Sequence, residues 1–280
     1  MMATEGSSPR PGAAGTNYIV AQLIAGVVTP LRSPRGAWTP RLVPAWRRLA
    51  PLGVLVAAAV VAAMEWIDAP TMRAVAKLPG RFIEIFNELT DFGQGAWSLV
   101  PLFVLLMASP FLNHPRLVHL SRGVLAMCAV RLGYMFAAIG LTGLADSILK
   151  RIVGRARPSA LGPFWFEPFS WHSQLASLPS GHATNVFATL VAVGLILPRL
   201  RPLLWSYALV IAASRVIVSA HYPSDVIAGA AFGAFGAIVV RDWFAVRRLG
   251  FFVGTDGKVH TMPGPSFRRI KRVAAALFGQ

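Results

Sequence analysis

A chain of 280 residues is long enough for one large domain. Apolar residues make up 55% of it and charged residues only 14%, against about 25% charged in soluble domains, so an ordinary soluble class is excluded in favour of a membrane protein. The formal net charge is +16, yet the basic residues fall in short flanks between apolar runs. That is the pattern of a membrane protein beside anionic lipid, not of a nucleic-acid-binding face. The single cysteine, Cys128, lies inside an apolar run, which rules out an intrachain disulfide and a cysteine metal site and leaves a small core residue.

Residues 1–16, rich in Gly, Ser, Pro and Ala, are expected to be disordered. Tyr18 to Val28 is apolar but short. Only Arg10 precedes it and no small-residue cleavage site follows, so it reads as an interfacial or buried segment rather than a signal peptide. Arg32, Arg35, Arg41, Arg47 and Arg48 come next, and then the first spanning candidate, Leu49 to Ile67. Between Met72 and Phe92 the spacing of Val75, Leu78, Phe82, Ile83, Phe86 and Leu89 predicts an amphipathic helix on the outer interface. The second span is Ala96 to Leu112, followed by a connection holding His114, Arg116 and Arg122. Val124 to Val130 reads as a helical, partly embedded stretch, and the third span is Leu132 to Ile148, with Arg131 at its base. A long polar and aromatic loop runs from Lys150 to Gly181. The remaining spans are Ala183 to Leu197, Leu203 to Val218 and Val226 to Val240, the first two joined by a turn with Arg199 and Arg201. The fold class is therefore all-α: a six-helix membrane bundle with interfacial helices.

With six spans the arginine-rich flanks all fall on one side, which is assigned to the cytoplasm together with both termini. The domain reading is a basic cytoplasmic segment over 1–48, a transmembrane domain over 49–248 and a basic cytoplasmic tail over 249–280. In the tail, Phe251 to Met262 reads as a hairpin turning at Asp256-Gly257. Pro265 to Phe278 reads as a basic amphipathic helix, with Phe267, Ile270, Val273 (or Ala274) and Leu277 towards lipid and Arg268, Arg269, Lys271 and Arg272 towards headgroups. A disordered basic tail is the alternative.

Three clusters fall on the outer face. Lys150 and Arg157-Pro158 leave the third span, against the charge rule, with Asp146 one turn before Lys150 and able to pair with it. Pro179-Ser180-Gly181-His182 opens the fourth span. Ser180 is placed as a helix cap, and the N–H groups of Gly181 and His182 point outward as an anion cradle. In the third cluster, Ser214 to Asp225, a helix stops near Val218 and another starts near Pro223, which leaves His221 in the turn. Asp225, one turn into the new helix, can reach one imidazole nitrogen and leave the other free as base or nucleophile. Arg215 points at the same space. Each cluster has a plainer reading: snorkelling charges, a capped helix, a His–Asp pair in an interfacial turn. Together, three cations in one thin layer would repel one another unless they bind an anion. Two histidines beside that anion supply a nucleophile and a proton donor.

K-x6-R-P, P-S-G-H and S-R-x5-H-x3-D, complete and in this order between Lys150 and Asp225, resemble the three signature motifs of the type 2 phosphatidic acid phosphatase superfamily, which includes vanadium haloperoxidases. The resemblance leaves residues 1–48 and 249–280 uncovered. It implies that Lys150, Arg157 and Arg215 hold phosphoryl oxygens with help from Ser180 and Gly181. His221 forms a phosphohistidine, Asp225 orients it, and His182 protonates the leaving oxygen. Three fixed cations stand in for magnesium, and the outer loops show no carboxylate cluster, so no metal or other cofactor is expected. The implied function is a lipid phosphate phosphatase of a bacterial inner membrane, working on its outer face. Undecaprenyl diphosphate is the first choice of substrate, beside phosphatidic acid, phosphatidylglycerol phosphate and lipid A phosphates. A lipid phosphotransferase on the same site and a non-catalytic lipid binder or transporter are the alternatives. Six spans argue against a haloperoxidase. The expected partners are the lipid substrate and the bilayer, with no nucleic acid, and the sequence sets no oligomeric state. The aromatic loop from Gly162 to Trp171 is expected to anchor at the interface, a lid over a headgroup being the alternative, and His172 is given no role.

Overall fold

The structure, a computed structural model, describes residues 43, 45–112, 119–160 and 162–278. Its helices are α1 (Ala45–Trp66), α2 (Asp68–Val75), α3 (Gly80–Asp91), α4 (Gly95–Leu112), α5 (His119–Val153), α6 (Gly181–Ile196), α7 (Arg201–Ile217), α8 (Pro223–Val246) and α9 (Phe267–Phe278). Two short strands, β1 (Phe251–Val253) and β2 (Val259–Thr261), form an antiparallel hairpin after α8. Among the described residues, five helical segments are long and apolar enough to cross a membrane: Ala45–Trp66, Gly80–Pro110, Gly123–Val153, Pro198–Ile217 and Pro223–Val246. The sixth expected span, α6, is apolar but only 16 residues long. The expected segment at Tyr18 to Val28, the arginines up to Arg41, and His114 and Arg116 lie outside the described residues.

α6 is the axis of the bundle. It packs against α5, α7 and α8, and its buried positions, Ala183 to Ala192, run almost all the way round it. Small residues let the helices approach. A Cβ on Gly233 of α8 would lie 2.2 Å from the Thr184 carbonyl of α6, so only glycine fits that crossing. The apolar core gathers Tyr134, Met135, Ala138 and Ile139 of α5, Ala188 and Ala192 of α6, and Ala237, Phe244 and Ala245 of α8. Phe251 of β1 closes its lower end, edge-on to Tyr134 at 4.7 Å.

Three expectations need correction. The single interfacial helix from Met72 to Phe92 is two helices, α2 and α3. Pro79 breaks it, sitting extended at φ −60° and ψ 138° with no N–H to continue the ladder. The third span is part of a far longer helix: α5 has 35 residues, about 52 Å at 1.5 Å per residue, and so projects beyond a ~30 Å hydrocarbon layer. In the tail, α9 exposes Phe267 and Ile270, but Val273 is buried where α9 packs on α5 rather than turned to lipid. The hairpin stands where expected, with Gly257 at φ +71° and the Asp256 carboxylate accepting from the Lys258 N–H at 3.0 Å.

Candidate active site

The three motifs meet at one end of the bundle. α7 ends at Ile217, and the Arg215 carbonyl accepts the N–H groups of both Ala220 and His221 at 3.1 Å. Ser219 takes the left-handed conformation (φ +53°) that turns the chain, and α8 starts at Pro223. His221 is thus set in the turn and buried (3% exposed). Motif two is fastened to motif three by the Ser180 N–H, which donates to the Asp225 carbonyl at 3.0 Å. Motif one is fastened to motif two through Asp146. This carboxylate holds Lys150 at 2.6 Å and accepts from the Thr184 hydroxyl at 2.7 Å. Lys150 Nζ then lies 2.9 Å from where a Cβ on Gly181 would be. His182, half-buried, is within electrostatic reach of Arg215, His221, Lys150 and Arg157. All eight residues singled out in the sequence therefore belong to one cluster.

Two details differ from expectation. Asp225 does not bond His221 directly: its Oδ2 lies 3.7 Å from Nδ1, too far for a hydrogen bond. Nδ1 instead meets the Ser177 carbonyl at 2.8 Å. A carbonyl can only accept, so Nδ1 carries the proton and Nε2 keeps the lone pair. The Ser177 hydroxyl donates to Asp225 Oδ2 at 2.6 Å and links the two side chains. Burial pushes the His221 imidazole below its ordinary pKa of 6.5, and the Asp225 carboxylate opposes that shift. The second difference is at Ser180. It occupies the cap position of α6, but its hydroxyl caps nothing. Among the described residues four buried side-chain polar atoms have no partner, and three are here: Ser180 Oγ, Arg157 Nε and Arg215 Nε. Arg215 also gives Nη1 to the Thr90 hydroxyl of α3 at 2.6 Å. Neither arginine has a carboxylate partner among the described residues. Burial lowers the pKa of Arg157, and the charge of Asp225 raises it. Guanidinium and hydroxyl groups left open side by side, above the free N–H groups that begin α6, make a receptor for an oxyanion.

Sequence reasoning missed Asp68, Thr90, Arg155 and Ser177. Asp68 could have been suspected as an acid at the end of an apolar span, and Arg155 as a second arginine two residues before Arg157. Thr90 and Ser177 carried no signal. The loop between motifs one and two is pinned along its length. Ala156 N–H donates to Trp165 O, Arg157 N–H to Gln174 O, Glu167 N–H to Gly154 O and Ser177 N–H to Arg155 O. Gly154, at φ +63°, allows Glu167 to pass so close that a Cβ would sit 1.7 Å from its carbonyl oxygen. Phe164, Trp165, Phe166, Phe169 and Trp171 stand exposed on this loop, which fits anchoring at an interface better than a moving lid. His172 is exposed and accepts from Arg151 through its carbonyl alone, at 3.1 Å. Among the described residues no group of three or more His, Cys, Asp or Glu side chains is placed to hold a metal ion. A separate cleft of about 550 Å³, lined by Met127, Arg131, Arg248 and the hairpin, opens at the other end of α5 and contains none of the site residues.

The PAP2 superfamily profile matches residues 131–249. A lipid A 1-phosphatase of Rhizobium johnstonii is 38% identical over 203 residues, covering 71% of this chain and 82% of the relative. A lipid A 1-phosphatase of Rhizobium etli is 36% identical over the same length, covering 71% and 86%. A crystal structure of a transmembrane PAP2-type phosphatidylglycerolphosphate phosphatase from Bacillus subtilis superposes with a TM-score of 0.50 at 20% identity, covering 70% of this chain and 94% of that one. A helical membrane bundle with these three motifs gathered at one end, and relatives that are phosphatases, defines a membrane phosphatase class. This chain belongs to the PAP2 superfamily and is a multi-pass membrane lipid phosphatase.

Proposed function

We propose that this phosphatase removes the 1-phosphate of lipid A, with Lys150, Arg157 and Arg215 binding the phosphoryl oxygens and His221 as the nucleophile. The observation that carries the site assignment is the set of open polar atoms, Ser180 Oγ, Arg157 Nε and Arg215 Nε, around a histidine whose Nδ1 is already committed. The substrate choice rests on the two lipid A 1-phosphatase relatives. Undecaprenyl diphosphate, the first choice from sequence, has no such support, and lipid A takes its place.

On this reading the phosphate enters head first, and the three cations and the Gly181 N–H neutralise its oxygens. His221 Nε2 attacks phosphorus in line, a P–N bond forms and the P–O bond to the sugar breaks. His182 gives its proton to the leaving oxygen. It then takes a proton from water, the hydroxide attacks phosphorus, the P–N bond breaks and inorganic phosphate leaves. The site faces the periplasmic side of an inner membrane, the arginine-rich flanks and the domains over 1–48 and 249–280 facing the cytoplasm. The Ser177 carbonyl supports the nucleophile role, because it holds the tautomer in which Nε2 is free.

The test is phosphate release by the detergent-purified protein from lipid A, phosphatidic acid, phosphatidylglycerol phosphate and undecaprenyl diphosphate, each with and without EDTA. Release from lipid A that persists in EDTA and is lost in His221→Ala is the expected result. Preference for another lipid on the panel would overturn the substrate choice. Transfer of phosphate to an acceptor lipid, with no inorganic phosphate formed, would overturn hydrolysis.

A further inference from the structure

Behind His221 lies a charged network built on Asp225, two of whose members, Asp68 and Arg155, occupy no signature position of the three motifs. Asp68 opens α2 and Arg155 sits in the loop after α5; both are 0% exposed, and their side chains pair at 2.7 Å across 87 residues of sequence. Arg155 Nη1 donates to Asp225 Oδ1 at 2.5 Å and to the Ser224 hydroxyl at 2.6 Å, and Nε donates to Pro163 O at 3.1 Å. Ser224 in turn gives Asp68 its N–H at 3.0 Å and its hydroxyl at 2.5 Å. Asp225 Oδ2, the other oxygen, takes the Ser177 hydroxyl at 2.6 Å and the Tyr222 N–H at 2.9 Å. Arg155 also lies 4.4 Å from the Tyr222 ring centre. Both oxygens of Asp225 are therefore fixed, and with them Ser177, whose carbonyl holds the His221 ring.

The charge count is the informative part. Arg155 alone with Asp225 would make a neutral pair, and the network would offer His221 no net charge to set against Arg157 and Arg215. Asp68 supplies a second carboxylate, so the network holds two negative charges and one positive, all dry. A buried excess charge is costly unless something answers it. His221 becomes positively charged when Nε2 bonds to phosphorus while Nδ1 keeps its proton, and that charge lies on the network's side of the ring. We propose that Asp68 and Arg155 are positioning residues for the nucleophile: Arg155 fixes the Asp225 carboxylate, and Asp68 restores the net negative charge that Arg155 would otherwise cancel. This rests on the reading of His221 as nucleophile. Neither residue meets the substrate, so their effect falls on formation of the phosphoenzyme and not on lipid binding.

The experiment compares full-length wild type, Asp68→Asn, Arg155→Lys and His221→Ala in detergent with lipid A. It measures kcat, KM, thermal unfolding and the acid-labile histidine-bound phosphate trapped after a rapid quench. Asp68→Asn is expected to slow phosphoenzyme formation and kcat by about tenfold or more while KM stays within about twofold. Arg155→Lys, which keeps the charge but loses the fork, shows the same split. A folded Asp68→Asn protein with wild-type kcat, or one that loses only KM, overturns the proposal. If Asp68→Asn does not fold, Arg155→Lys decides by the same criterion. Trapped phosphate or activity in His221→Ala would instead bring down the nucleophile assignment itself, so the two failures are distinct.

Discussion

Gly181→Ala separates the cradle from the scaffold that carries it. Gly181 is the first residue of α6 and has no left-handed backbone, so nothing in its conformation demands glycine. An added Cβ would sit 2.9 Å from Lys150 Nζ and 3.3 Å from Asp146 Oδ2, both ends of side chains rather than backbone. To reach an ordinary contact of ~3.5 Å the ammonium must retreat by ~0.6 Å from the start of α6, where the phosphate is proposed to bind. Alanine in a helix stabilises by roughly 0.5–1 kcal/mol over glycine, so folding should be unharmed. A charge-assisted hydrogen bond contributes about 1.5–3 kcal/mol, which is about tenfold to about 150-fold in kcat/KM. The assay is phosphate release from lipid A alongside a thermal unfolding curve, with Lys150→Met as the reference for complete loss of the ammonium. Wild-type kcat/KM in a normally folded Gly181→Ala protein would refute the placement of Lys150 on the phosphate. A large drop in Tm would refute the claim that only a side-chain tip is displaced.

Three further outcomes follow from the same geometry. Thr90→Val keeps the shape but removes the acceptor shared by Arg215 Nη1 and the Ser214 hydroxyl; unfolding measurements should show a loss of about 1–3 kcal/mol and KM should rise, while Thr90→Ser keeps both near wild type. His221 has a folded pKa below its ordinary 6.5, so the unfolded chain binds more protons and stability falls as pH drops through 6.5; Tm recorded at pH 7.5 and 5.5 should differ, by less in His221→Gln than in wild type. Gly154→Ala puts a Cβ on backbone at a positive φ; the protein should lose activity through disorder of the loop, seen as faster proteolysis between Gly154 and Gly181.

Hydropathy made the spans legible because an apolar stretch in lipid must satisfy its own backbone, and a helix is the form that does so. The turn at His221 was legible for a local reason: Pro223 fixes where α8 begins, and Arg215 and Asp225 take their places by counting along two helices. At its start α5 runs through Val124 to Val130, apolar and read as helical, and on through Arg131 without a break; at its end it continues through Lys150 and Arg151, where hydropathy no longer follows it. The break at Pro79 was overlooked because the apolar spacing on either side of it stays in helical phase. Asp68 with Arg155 is a different kind of omission. Their pairing closes across 87 residues and exists only once α2 is laid beside α8, and no short motif encodes that. The capping role given to Ser180 failed for a related reason. The sequence placed it correctly before α6, but its buried hydroxyl makes no cap bond and is left open, like Arg157 Nε and Arg215 Nε from distant segments.

Charge in this bundle is sorted across His221, the proposed nucleophile. On one side of His221 lie Arg157 and Arg215, each with an open Nε, and Lys150, tied through Asp146 to Thr184. On the other lies a carboxylate pair bridged by Arg155, with one negative charge to spare. In the proposed reaction a phosphate dianion brings negative charge to the first side. Bonding to Nε2 then creates positive charge on the second. Both changes are answered by groups already in place, so little has to reorganise at the moment of reaction, which is how preorganised electrostatics lower a barrier. It also explains why Asp225 stands 3.7 Å from the ring instead of bonding it. The Ser177 carbonyl, which cannot give or take a proton, sets the tautomer, and the carboxylate is left to supply charge. A direct bond would offer the imidazole a partner that could take its Nδ1 proton, whereas this arrangement keeps that proton on the ring through both halves of the proposed reaction.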